Sequence, residues 1–163
     1  VPGLLVGASL FTGNATHGQA GYPSMRVTLG DVHARWTPGR WDLSALYARG
    51  YISNTEQLNA TMVGNPTLIP KSFDGWYVQG AYKLWQHGDY TLSPFLRLER
   101  FNTARAFANL GPGITPDAAR TEQVATIGAN FWLTRSVVIK ADYQNFKVNK
   151  DANRFNVGLG WAF

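Results

Sequence analysis

Asp31 and His33 stand two residues apart, which in an extended chain puts both side chains on one face, and Ser44 is expected opposite His33 on the following strand. A serine, an imidazole and a carboxylate are the parts of an acyl-transfer site, provided the hydroxyl reaches one ring nitrogen and the acid orients the other. Spacing by two makes neighbours but supplies no such geometry, and these residues fall well inside their strands. His33 is therefore read as a structural histidine and no enzyme is expected. His17 belongs to a loop and His87 to a turn, where solvation is the ordinary state. There is no cysteine, which excludes disulfides, thiolate zinc sites and cysteine nucleophiles. No metal, phosphate-loop or glycosidase pattern is found, and no cofactor is expected.

The other ionisable groups are more informative as a set. Arg35, Lys83, Arg97, Lys140 and Arg154 share strand faces with Asp31, Asp42, Glu99 and Asp142, five cations against four anions. Each falls in a segment that alternates with period two, the mark of a strand whose two faces meet different surroundings. Eight such segments are expected, at about 4–12, 26–36, 41–51, 75–85, 90–101, 122–133, 137–146 and 154–163. In the fifth, Leu92, Pro94, Leu96 and Leu98 oppose Ser93, Phe95, Arg97 and Glu99; in the seventh, Val137, Ile139, Ala141 and Tyr143 oppose Lys140, Asp142 and Gln144. Val27 and Leu29 are out of phase with Val32, Ala34 and Trp36, so a bulge is expected near Gly30. Pro94, which cannot donate to a ladder, predicts an irregularity of its own.

The 163 residues suit one domain, all-β, with seventeen glycines and eight prolines for its turns. No run approaches the roughly 18 apolar residues of a membrane-spanning helix. Mean hydropathy of −0.19 does not exclude a membrane barrel, whose apolar residues alternate with polar ones. Net charge is +5, but the basic residues are scattered, which argues against a nucleic-acid surface. Short connections (37–40, 86–89, 134–136) alternate with long ones (13–25, 52–74, 102–121, 147–153), as in outer-membrane barrels. Residues 53–63 could form a short helix capped by Ser53 or Asn54, folding back to narrow a pore mouth. Trp36, Trp41, Trp85, Trp132 and Trp161 all fall near the short connections, with Trp36 expected to face Trp41. Indole favours the lipid–water boundary, so these five predict an interfacial aromatic girdle. Charged side chains cannot face lipid at mid-depth, where Arg or Lys costs about 2–4 kcal/mol. The ten ionisable residues named above must then line an enclosed interior, with Arg35 and Asp42 paired across the first short hairpin.

The closing run Arg154-Phe-Asn-Val-Gly-Leu-Gly-Trp-Ala-Phe163 alternates to its last residue. It resembles the terminal strand of bacterial outer-membrane barrels, and the resemblance makes Phe163 the signal read by the barrel-assembly machinery. Residues 3–14, the block His33-Ala-Arg-Trp-Thr-Pro-Gly-Arg-Trp-Asp-Leu-Ser-Ala-Leu-Tyr-Ala-Arg49 and the stretch Tyr143 to Phe163 together look like the carboxyl half of a porin of the phosphate-selective O and P family. That resemblance implies a sixteen-stranded, homotrimeric, outer-membrane protein of Gram-negative bacteria passing anions such as phosphate. It also implies that these eight strands are half of the barrel. The amino terminus shows no signal peptide, so a leader is expected to have been removed or the chain to belong to a longer one. The alternative is a self-contained, OmpA-like eight-stranded barrel, its interior filled by salt bridges, acting as a membrane anchor or binding module.

Overall fold

The computed structural model describes residues 1–62, 64 and 68–162. The chain is all-β, a single antiparallel sheet of nine strands among the described residues: β1 (Leu4–Asn14), β2 (Arg26–Trp36), β3 (Trp41–Ile52), β4 (Ser72–Tyr82), β5 (Trp85–His87), β6 (Tyr90–Ala106), β7 (Glu122–Thr134), β8 (Val137–Phe146) and β9 (Arg154–Trp161). Each long strand pairs with the next in the chain, and β5 adds a short piece beside β6. The sheet is open. Among the described residues nothing pairs with the outer edge of β1 or β9, so these strands alone do not close a barrel. Among the described residues one α-helix, α1 (Thr55–Ala60), lies in the long segment between β3 and β4, and a single 3-10 turn spans Lys150–Ala152.

The alternation read from the residues holds along most strands, with corrections in the register. No bulge occurs at Gly30. β2 pairs without a break from Val27 to Trp36 against β3 and from Arg26 to Trp36 against β1. Val27 and Leu29 therefore share the face of Asp31, His33 and Arg35, where both are half-buried. The segment expected as one strand at 75–85 is divided at Lys83 and Leu84. Ala81 pairs with Phe95 but Trp85 pairs with Leu92, a slip of one residue. The slip falls opposite Pro94, whose missing N–H interrupts the ladder where irregularity was expected. A second slip lies between Trp132 and Thr134.

At the first short connection, Trp36 pairs with Leu43 rather than Trp41. The Trp41 amide donates to the Pro38 carbonyl (3.1 Å), closing a four-residue turn in which Gly39 takes φ 59°. Trp41 instead packs at a tilt against Tyr82 of β4, ring centroids 4.9 Å apart and planes 56° apart. At the second, Gly88 adopts φ 58° between paired His87 and Tyr90.

Two unlike faces result. On one, Phe95 and Val124 are buried, and aromatic rings lie over glycines on the adjoining strand: Phe73 over Gly50, Phe95 over Gly128 and His33 over Gly7. The other face stays bare, with Leu10 76%, Val157 68% and Ile127 64% exposed. Total accessible surface is 10936 Å², against about 8000 Å² for a compact soluble chain of 18.0 kDa. Only Met25, Ala81, Phe95, Ala108 and Val124 are buried apolar residues among those described.

Within 53–63, α1 ends at Ala60, and Val63 lies outside the described residues. Asn54 occupies the N-cap position at φ 57°, yet its side chain donates to the Ser24 carbonyl (2.7 Å) rather than capping the helix. The helix is held from its other side. The buried Asn59 amide donates to the Ile69 carbonyl and accepts from the Ile69 N–H, both at 2.8 Å, as a strand partner would.

Candidate functional site: the charged face of the sheet

Register fixes which side chains share a face. Ser9 pairs with Asp31, Arg35 with Ser44, Gln79 with Arg97, Arg97 with Thr126 and Asp142 with Asn156. The ionisable residues singled out in the strands therefore stand on one side of the sheet. The opposite side carries charge only near the long-loop ends of its strands, at Arg26, Arg49, Asp74 and Arg100. Five tryptophans were expected in one girdle. Trp36, Trp41, Trp85 and Trp161 do share the apolar face near the short connections. Trp132 pairs with Thr91 and sits on the charged face, because β7 keeps strict alternation from Val124 to Trp132. There it lines an opening of about 520 Å³ at the short-turn end together with Arg35, Asp42 and Lys83.

Most cations on this face are neutralised locally. Arg35 donates to both carboxylate oxygens of Asp42, from Nε at 2.9 Å and Nη2 at 2.6 Å, a bidentate pair that forms diagonally although Arg35 is registered with Ser44. Arg97 donates to Glu99 Oε1 at 2.7 Å, two residues on along β6, and its guanidinium lies 3.8 Å from the Tyr77 ring centroid. Lys140 is 3.4 Å from Asp142 and 5.1 Å from the Phe95 ring. Asp142, 5% exposed, also accepts from Asn156 Nδ2 at 2.9 Å. Arg154 donates from Nε to Gln144 Oε1 at 2.7 Å and faces the Phe146 ring. Among the described residues Lys83 has no acidic partner.

Arg97, Lys140 and Arg154 converge on a cavity of about 280 Å³ with Phe95, Phe101, Thr126 and Phe146. Two of these lining residues carry a buried polar atom without a protein partner, Arg97 Nε and Thr126 Oγ1. The two atoms belong to residues paired directly across β6 and β7.

The Asp31–His33 neighbours do interact, with Nδ1 2.8 Å from Oδ1. Ser44, however, faces Arg35, not His33, since the four-residue turn shifts β3 by two. The serine that reaches this pair is Ser9, whose hydroxyl donates to Asp31 and not to the imidazole. Serine and histidine bound to one carboxylate leave the nucleophile without a base, so the cluster does not have acyl-transfer geometry. No group of three metal-ligating side chains stands together among the described residues.

Sequence reasoning missed the long-loop anchors. Glu122, 8% exposed at the start of β7, accepts amides of Val148 and Asn149 at 2.8 Å each and its neighbour Gln123 at 3.0 Å. These amides, Val148's first, hold its carboxyl below the ordinary glutamate range against the opposing effect of burial. Asn102 likewise ties β6 to the loop through the Ala119 carbonyl (2.8 Å). Nothing local marks either residue as an anchor, because the loop groups they hold lie 17 to 27 positions away. Phe163, the expected assembly signal, lies outside the described residues.

No family model matches the chain, and no solved structure does. An uncharacterized protein of Aquifex aeolicus is similar to it, 26% identical over 170 residues that take in 98% of this chain and 38% of the relative. The chain thus spans well under half the length of that curated relative.

Proposed function

We propose that this chain is a sector of a bacterial outer-membrane β-barrel whose bare face meets lipid and whose charged face lines a water-filled passage. Small solutes, anions preferentially, diffuse through it passively, in the manner of the phosphate-selective O and P porins. One observation carries the reading: between the rims, the exposed face bears no charged residue on any long strand, while nine ionisable side chains of the strands share the other face. From Ala125 to Leu133 the uncharged stretch of β7 is about 30 Å long, which at barrel tilt matches a hydrocarbon band of about 25 Å. Leu96 and Val157, more than half exposed, and Ile139 pack against no second sheet, as they would in a soluble sandwich.

The unpaired edges of β1 and β9 favour a larger barrel over a self-contained one, since open edges are not tolerated in hydrocarbon. The ion pairs filling the charged face are what favour the narrow, plugged anchor. Planar-bilayer recording of the full-length protein separates the two. Discrete conductance steps with a reversal potential displaced toward anions are expected under a salt gradient. Insertion without conductance would leave the plugged barrel, and no insertion would remove the membrane reading altogether.

A further inference from the structure

Where β6, β7 and β8 approach the long loops, the bare face changes character within two rows. The upper row runs from Trp76 to Arg100 to Gln123, and the Lys147 amide continues it by donating to the Gln123 carbonyl at 3.0 Å. The row below holds Leu98, Ala125 and Asn145. Ala125 is the smallest of the three, and a groove of about 580 Å³ opens over it, walled by Trp76 and Leu98 and rimmed by Arg100, Lys147 and Lys150. All three cations are exposed, and among the described residues none has an acid within ion-pair distance. Lys147 reaches only the Gln123 amide oxygen, at 3.4 Å. The arrangement differs from the neighbouring rim, where Arg49 lies over Tyr51 (4.9 Å) and Arg105 reaches Asp74 (3.2 Å).

Unpaired cations directly above a slot that is uncharged and, save for Asn145, apolar, at the border between a charged rim and an uncharged band, complement a ligand divided the same way. Phosphate belongs at the level of the ammonium and guanidinium groups, and hydrocarbon against leucine, alanine and indole. We infer that this groove holds one phosphate-bearing, multiply acylated lipid of the leaflet nearest the long loops. Arg100, Lys147 and Lys150 take its phosphate, and one acyl chain runs over Ala125 beside Leu98. This inference rests on the membrane reading above but not on conduction.

The test reconstitutes the full-length protein in vesicles of phosphatidylcholine alone and of phosphatidylcholine with lipid A. Protease protection reports insertion, and native mass spectrometry reports lipid retained. Wild type is expected to insert in both and to retain lipid A over phosphatidylcholine about tenfold. R100Q/K147Q/K150Q should lose that preference about tenfold, and Ala125→Trp, which fills the slot without touching charge, should lose it too. Arg135→Gln, a cation at the opposite end of the strands, should not. Equal retention of the two lipids, or undiminished preference in both groove variants, overturns the inference while insertion still stands. Displacement of lipid A by excess inorganic phosphate also overturns it, pointing to a free-anion site. Failure to insert in either vesicle removes the membrane reading and the lipid site together.

Discussion

Glu122 shows how one side chain can decide the state of a loop. Its two oxygens accept from Gln123, Val148 and Asn149, fastening the segment after β8 to the start of β7. Because its folded carboxyl titrates below the ordinary glutamate value, the stabilisation is complete above that value and disappears as pH falls through the folded one. Amide exchange at Val148 and Asn149, corrected for intrinsic rates, should therefore stay slow at neutral pH and accelerate in acid. Glu122→Gln keeps one acceptor oxygen, so it should weaken protection at neutral pH and abolish its acid dependence. Arg97 and Glu99 make a different test. The pair is partly exposed, so breaking it costs about 1–2 kcal/mol, between surface and buried cases. If the pair lines a pore, Arg97→Gln should move the reversal potential toward cations and Glu99→Gln should move it the other way. Unchanged potentials in both would take these residues out of the passage. Spacing by two put Arg97 and Glu99 on one face, as it did Asp31 and His33, but did not say that Arg97 would turn to Glu99 rather than to a neighbouring strand. Ser9 with Asp31 was not legible, because a pair across strands requires a register that sequence does not state.

Strands carry the same lesson at larger scale. Alternation revealed the eight long strands and both faces, because period two survives any error in pairing. What it could not supply was registration between strands. The two-residue shift at Pro38–Trp41 separated Trp36 from Trp41 and Ser44 from His33, and unbroken alternation in β7 carried Trp132 to the charged face. Conversely, Pro94 announced its interruption plainly, since loss of an N–H is a local property. Glycine was also ambiguous. Gly30 suggested a bulge and forms none, while Gly128 holds β6, β7 and β8 together by what it lacks. A Cβ there would overlap the Phe95 ring, the Asp142 side chain and the backbone of Ala141. Gly128→Val should therefore destabilise the full-length protein by about 1–3 kcal/mol through overpacking, read as a lowered urea midpoint in detergent. Gly158, also on the charged face, has nothing within 4 Å of the same position, and Gly158→Val should leave that midpoint nearly unchanged. Equal losses at both sites would mean that strand propensity, not ring packing, sets the cost.

For the molecule as a whole, the deciding feature is a sheet with two free edges. β1 offers eleven residues and β9 eight, both long, apolar on the bare face and without the lysines or bulges that protect edges in water. Each edge presents every second N–H and C=O unpaired, so a lipid-embedded sheet needs further strands to satisfy them. The relative from Aquifex aeolicus is long enough to hold such strands, the matched region being 38% of it. If strands outside these residues complete the ring, the outward amides of β1 and β9 are hydrogen-bonded in the full-length protein. Hydrogen exchange in detergent should then find them protected by orders of magnitude, comparable with the interior strands β3 and β7. In the isolated 163-residue chain the same amides should exchange near their intrinsic rates, while alternate amides of β1 bonded to β2 remain slow. Rapid exchange at both edges in the full-length protein would mean that the sheet stays open. It would then cover its bare face some other way than by closing around a pore.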